Sequence, residues 1–561
     1  MRAWCALAVA LSLFSPAEAG VAYVPVANIH PGDRGRGLAT FAQTTVGEYD
    51  VEVLDVLRSD GTTADALLVR VSGSQIERAG GIAAGMSGSP IYIGGELAAA
   101  LSYALPDADP HYGYATPAEY VAPLLERGAA AAGLITRPFA GPGAMAARSG
   151  QDLVGALFSS AVTQAPGPEP AGLAPIQPGS AVGIQLARGA INVTTIGTVT
   201  AVSGDRLLAF GHKYLHEGTC DYPLVRVSIG GIVPSGRVPF MLGNPVGDPV
   251  GVVTEDRAAG CVADLGRRAS MAPVSVSVAD ERGVSRELRL DLVRTPEVFF
   301  ETLASTVIAA ADGVLDRVGP GSAEVGVTLA CTGGYLISRS DVISSERDIG
   351  GSIAAEIRHW VREIVFNASC ELTPERCDVT VKASASLARA RIASCEVAPA
   401  RAAPGNAVLV TVTLRPYRSP AATVQARLRV PPDAAPGLLR VRVHGKAADE
   451  LGLFDPWEQE PVFDVPAAYC EWISRAGKGR SVACDLLRSP LERLLRSVRS
   501  SVPAFDESGE MGTRDVPGRE SARQPSGMAA LLGSGDVLAR ETVDTAWEVT
   551  GESYADLEVV R

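Results

Sequence analysis

Aromatic side chains make up only 5% of this 561-residue chain, and histidine occurs only six times. Five tryptophans give little support to a protein that grips sugars on aromatic platforms. Six histidines leave a short list of candidate bases for any proton-transfer chemistry. No basic patch is present, and the formal charge is -13, with twelve acidic against five basic residues in 501–561. Nucleic acid is therefore excluded as a partner. No CxxC pair occurs, and His212, His216 and Cys220 form a close cluster that no second one completes, so neither a metal nor any other cofactor is expected. Beyond the N-terminus no run of about twenty uninterrupted apolar residues offers a membrane span.

The chain is 47% hydrophobic and 20% charged, with 59 glycines and 38 prolines. That composition points to a globular, mainly β protein with many turns, and the length to two to four domains. The first nineteen residues hold one arginine, an apolar run from Ala3 to Phe14 and Ala17-Glu18-Ala19. They read as a signal peptide cut before Gly20, which predicts export to the periplasm or the outside of the cell. Cys5 would leave with it. Cys220, Cys261, Cys331, Cys370, Cys377, Cys395, Cys470 and Cys484 remain. An even count in an exported chain favours disulfides, and closeness in sequence suggests Cys370 with Cys377 and Cys470 with Cys484, although spacing does not fix connectivity.

Residues 20–135 read as a first β-rich half: YDVEVLDVL, DALLVRVSG, SPIYI and ELAAALSYAL alternate with turn residues. Gly94-Gly95 between two apolar runs signals a hairpin, and Thr116-Pro117 opens a short helix. Residues 136–180 are a Pro/Gly-rich linker. A second β-rich half covers 181–295, and 296–395 is an α+β region with its best helical period at Ile353–Ile364. Residues 396–468 alternate as in an immunoglobulin-like β-sandwich. Residues 469–561 read as a C-terminal tail, partly helical and largely disordered.

The richest local signal is GGIAAGMSGSPIYIGGEL, Gly80 to Leu97. A nucleophilic serine needs an exposed hydroxyl on a sharp turn, amides aimed at the developing oxyanion, and a base. Gly85-Met86-Ser87-Gly88-Ser89-Pro90 supplies the first two: glycines bracket Ser87, and the amides of Gly85 and Ser87 are the candidate oxyanion hole. Ser87 is favoured over Ser89 because it sits centrally between the glycines. A plain tight turn is the alternative. Among the histidines, His30, His111, His359 and His444 read as incidental and His216 as a loop residue. His212 ends RLLAFGH, an apolar strand closing in Gly-His, and is the candidate base.

GMSGSP and LLAFGH, with GGI upstream of the first and PIYIGGELAAALSY and PAEY after it, resemble the SpoIVB-type serine peptidases, peptidase family S55. The likeness extends over residues 21–275. It implies a chymotrypsin-like double β-barrel and a serine endopeptidase with Ser87 as nucleophile and His212 as base, acting on a protein or peptide substrate. Two departures stand out. The family's histidine motif precedes its serine motif, whereas here Ser87 comes first, and Ser72 falls where the family places an aspartate. Asp65, Glu77 or Asp221 would have to supply the orienting acid. Without one, the alternative is a catalytically degenerate, peptidase-like binding protein of the cell envelope, with an envelope protein as partner.

Overall fold

The computed structural model describes residues 21–59, 64–105, 108–126, 174–235, 238–367, 369–445, 465–475, 479–488 and 537–561. The signal-peptide reading and most of the linker lie outside the described residues. The chain divides into two compact units, Met1–Val274 with Leu288–Leu303, and Ser275–Glu287 with Ala304–Arg561.

In the first unit, β1 (Arg34–Ala42), β2 (Thr45–Leu57), β3 (Ala66–Ser72), β4 (Pro90–Ile93), β5 (Glu96–Ala104) and β6 (Tyr112–Pro117) close into a barrel in the order β1-β2-β3-β6-β5-β4. Period-2 alternation places Val51, Val53, Val69, Val71 and Ile91 in its core, each essentially without exposed surface. Each such side chain contributes about 1.5–3 kcal/mol by leaving water. The β4–β5 turn uses Gly94 (φ 62°) and Gly95 (φ 91°), the backbone sign that the glycine pair predicts. A short helix α1 (Ser74–Ala79) follows β3, and α2 (Ala118–Val121) and α3 (Pro123–Glu126) follow β6.

A second set comprises β7 (Ala181–Gly189), β8 (Val193–Ser203), β9 (Arg206–Ala209), β10 (Gly218–Val233), β11 (Phe240–Arg257) and β12 (Gly260–Leu265). They pair in the order β10-β11-β12-β9-β8-β7, and β10 also pairs with β7 through Leu224↔Ile184 and Val225↔Gly183. The sheet is thus curled strongly enough for its ends to meet. Ile196, Val225, Val227, Ile229 and Met241 from this set join the apolar cluster of the first barrel. β13 (Met271–Asp280) and β14 (Ser285–Val293) come next in the chain.

Helix α4 (Pro296–Leu315) is long and apolar enough to cross a membrane by length and composition alone. The sequence, with Glu297, Glu301 and Asp312 in this segment, gave no such expectation. Two-thirds of its apolar window (67%) is buried, as in a core helix of a globular unit.

The second unit holds β15 (Gly321–Cys331), flanked by β16 (Tyr335–Ser345) and β17 (Pro374–Ser384), with α5 (Ile349–Val365) packed on β15 and β16. Asp348 caps α5 by accepting from the Gly351 amide at 3.0 Å, and Ile353, Ile357, Trp360 and Ile364 form its buried stripe. Next come β18 (Arg389–Ala398), β19 (Arg401–Ala402), β20 (Ala407–Pro416), β21 (Ala422–Arg429), β22 (Gly437–His444), α6 (Pro466–Arg475), β23 (Ser481–Arg488), β24 (Val537–Asp544), β25 (Glu548–Thr550) and β26 (Glu552–Val559). A four-stranded sheet, β21-β20-β18-β25, and a five-stranded one, β19-β26-β22-β23-β24, bury a common core.

Two expectations are corrected here. The β-sandwich does not end at 468, and the described parts of 469–561 are not a disordered tail: Ser481–Arg488 and Val537–Val559 supply four of its strands. Val549, Leu557 and Val559 need that core to leave water. No sulfur–sulfur bond joins Cys370 to Cys377 or Cys470 to Cys484, the pairs suggested by closeness in sequence. Cys484 points into the sandwich core, where Cys395 packs against the same cluster, whereas Cys470 lies on α6. Cys377 is buried on β17 opposite Leu329, whereas Cys370 lies in the loop before that strand.

Candidate active site

Three elements of the first unit meet at Ser87. The loop 80–89 needs positive φ at Gly80, Gly81, Gly85 (107°) and Gly88 (95°). Gly88 has no room for a side chain: a Cβ there would stand 2.1 Å from the Thr198 carbonyl oxygen and 2.4 Å from the Phe210 nitrogen. Strand β8 clamps the loop from outside. The Thr198 amide donates to the Ser87 carbonyl (2.8 Å), the Thr198 hydroxyl to the Gly85 carbonyl (2.9 Å), and the Thr200 hydroxyl to the Gly88 carbonyl (2.7 Å).

Within this loop Ser89 is completely buried, whereas Ser87 keeps partial exposure. The Met86 amide donates to the Ala83 carbonyl, that of Gly88 to Leu101 and that of Ser89 to Met86. The amides of Gly85 and Ser87 donate to no partner among the described residues. They are the pair that the glycine pattern singles out for an oxyanion.

His212 follows β9 through Phe210 and Gly211, both at positive φ (70° and 63°). A bulky residue in that conformation is costly, and the buried Phe210 holds it. The imidazole stacks on Tyr103 of β5, with centroids 4.8 Å apart and planes at 25°. Its Nδ1 lies 2.6 Å from the Lys213 carbonyl oxygen. A carbonyl only accepts, so Nδ1 carries the proton and Nε2 keeps its lone pair. Burial lowers the pKa of His212 below the usual 6.5, with the positive charge of Lys213 acting the same way, against the Lys213 carbonyl bond and the charge of Asp256, which raise it.

Asp256, fully buried on β11, holds the loop after His212. Its carboxylate accepts from the amides of Tyr214 (2.8 Å), Leu215 (2.7 Å), His216 (2.5 Å) and Glu217 (3.3 Å).

Ser87 and His212 line one cavity of about 230 Å³, with Ile82, Ala83, Ala84, Leu101, Tyr103, Ala104 and Val238 among its other walls. The Ser87 hydroxyl donates to the Ser102 carbonyl at 3.2 Å. The proposed acids lie elsewhere. Asp65 accepts from the Ser59 amide (2.8 Å) and pairs with Arg58 (3.4 Å), Glu77 faces His111 at 3.6 Å on the surface, and Asp221 accepts from the Ser270 amide (2.8 Å). Ser72 ends β3 in register with Asp50. No carboxylate contacts the His212 ring among the described residues. His111, His359 and His444 pair with Asp109, Glu363 and Asp485 respectively. His216, at φ 64°, is exposed.

Sequence reasoning missed Thr198, Thr200, Tyr103 and Asp256. They are common residue types inside strands, and only register brings them to the site. Residues 19–121 match the model of the family SpoIVB peptidase S55. The match includes Ser87 and stops short of His212, so it is narrower than the likeness over 21–275 read from sequence. No curated protein and no solved structure matches the chain.

Proposed function

We propose that the protein is an exported serine endopeptidase in which Ser87 attacks the scissile carbonyl and His212 takes its proton. The observation that carries this reading is the common cavity: Ser87 is partly exposed there, and the half-buried imidazole that lines it too has Nδ1 engaged and Nε2 unprotonated. The Gly85 and Ser87 amides would stabilise the tetrahedral oxyanion. The Lys213 carbonyl sets the tautomer that an aspartate sets in a triad. It accepts the Nδ1 proton but adds no full negative charge beside the imidazolium, so turnover slower than that of a complete triad is expected. On this reading the two strand sets are the barrels of a chymotrypsin-like fold, the nine-stranded sandwich is an accessory immunoglobulin-like module, and the substrate is a protein or peptide with a small apolar side chain before the scissile bond, to suit the walls of Ile82, Ala83 and Ala84.

A second reading, a catalytically degenerate binding protein of the envelope, draws on one observation: the Ser87 hydroxyl is donated to the Ser102 carbonyl. A fluorophosphonate probe separates the two. An active site labels covalently, Ser87→Ala abolishes the label, and His212→Ala slows it by about 10²–10⁴-fold. A wild-type protein that never labels, or a label that survives Ser87→Ala, overturns the peptidase reading.

A further inference from the structure

Behind His212 the two barrel strands nearest to it present a buried hydroxyl pair. Ser102 is the extra residue of a β-bulge: Leu101 pairs with Ala115 and Tyr103 with Tyr114, which leaves Ser102 unopposed on β5. A bulge re-aims a side chain that regular pleating would point elsewhere. Here the Ser102 Oγ lies 2.6 Å from the Thr116 Oγ1 and 2.9 Å from the Gly211 carbonyl oxygen, and Thr116 Oγ1 lies 2.8 Å from that same oxygen. The Thr116 amide donates to Ser102 Oγ at 3.1 Å. Ser102 and Thr116 are 3% and 7% exposed, so no water replaces them without rearrangement.

The Gly211 carbonyl belongs to the peptide that leads into His212, and Gly211 itself is wedged against Ala100 and Leu101, where a Cβ would meet atoms at 3.0 and 3.1 Å. The same strand residue faces the nucleophile from its other end, because the Ser102 carbonyl accepts from Ser87. Resting on the reading of Ser87 and His212 as nucleophile and base, we propose that Ser102 and Thr116 are positioning residues: their hydroxyl pair anchors the Gly211 carbonyl and so sets the place of the His212 imidazole relative to Ser87. Ser102 Oγ also lies 3.0 Å from the Ala100 carbonyl oxygen, so the two hydroxyl protons of the cluster are divided among the Gly211 carbonyl, the Ala100 carbonyl and the neighbouring hydroxyl. Anchoring the preceding carbonyl does by main-chain position part of what a carboxylate does by gripping the ring. It transfers no charge, and the charged groups acting on His212 remain Asp256 from β11 and the adjacent Lys213, with the Tyr103 ring stacked from β5.

The test is the second-order rate of fluorophosphonate labelling across pH for wild type, Thr116→Val, Ser102→Ala and Thr116→Ser in the full chain, with melting temperature recorded for each. A misplacement on the order of 1 Å costs about 10²-fold in rate. Thr116→Val and Ser102→Ala are expected to label about 10²-fold more slowly, with the acidic limb of the profile moved up towards pH 6.5 as the loosened imidazole regains water. Thr116→Ser, which restores the hydroxyl, is expected to recover the rate and the limb. If Thr116→Val does not fold, Ser102→Ala carries the test, since its carbonyl towards Ser87 is retained. Labelling through Ser87 at the wild-type rate and pH profile in both hydroxyl-deleted variants overturns this proposal and leaves the peptidase reading standing. Absence of any Ser87-dependent label in wild type overturns the peptidase reading itself, and with it this one.

Discussion

At the scale of single residues, the chemistry at His212 turns on one proton. Nδ1 is committed to the Lys213 carbonyl, so Nε2 is the nitrogen that titrates. Burial, first among the causes, holds its pKa below 6.5. A base whose pKa is lowered stays neutral, and competent, down to more acidic pH than a free histidine. The half-point of the acidic limb in labelling rate is therefore expected below pH 6.5. Lys213→Met removes a positive charge that disfavours the imidazolium, and moves that half-point upward towards 6.5. A limb at or above 6.5 in wild type, or one that Lys213→Met moves downward, contradicts the account. That Ser87 and His212 deserved to be read together was legible in the sequence, because both stand in glycine-marked breaks of apolar strands and histidine is scarce; the structure places them on one cavity. Asp256, Ser102 and Thr116 were not legible, since a carboxylate or hydroxyl inside a strand becomes a site residue only once partner strands and bulges are known. Where the sequence pointed to another carboxylate, the described residues set the Lys213 main-chain carbonyl 2.6 Å from His212 Nδ1.

At the scale of elements, the serine loop is shaped as much by β8 as by its own glycines. Gly88 at φ 95° lies against the Thr198 carbonyl and the Phe210 nitrogen, both of them main-chain atoms that cannot swing aside. Gly88→Ala adds a side chain in a conformation that costs about 1–3 kcal/mol before the steric overlap is counted. The expected result is an unfolding free energy, read from denaturant titration, lower by at least that amount, together with loss of Ser87 labelling. Gly94→Ala, in a turn where a Cβ meets nothing within 4 Å, bears the φ strain alone and is expected to keep the label. Equal loss in both variants argues against the close approach as the cause. The strands themselves were readable from alternation, and the hairpin from Gly94-Gly95. Their curling was less so: β7 pairs with β10 across more than thirty residues of intervening chain, and the shifts of register that re-aim Ser102 and Thr200 leave no mark on an apolar pattern.

At the scale of the whole molecule, the end of the chain completes the sandwich of the second unit. β26 lies between β19 and β22, pairing Val559 with Ala402 and Ala555 with Val441, and β25 adds to β18. Such pairing joins strands more than a hundred residues apart, which is why a polar, acidic sequence hid it: the described strands at 537–559 alternate weakly, and their partners are needed to show which face is buried. Deleting residues 537–561 strips Val549, Leu557 and Val559 from the core, each no more than 2% exposed. At about 1.5–3 kcal/mol per side chain, and with the main-chain bonds of three strands lost as well, the deficit reaches the 5–15 kcal/mol that typically holds a domain together. The truncated chain is expected to lose one cooperative thermal transition and to bind a hydrophobic dye. Every contact described around Ser87 comes from the first unit, so fluorophosphonate labelling is expected to persist in the same preparation. A truncated chain that melts like the full one would show that β24–β26 contribute little to the sandwich. Loss of the label together with the transition would show that the serine site depends on the second unit for its stability.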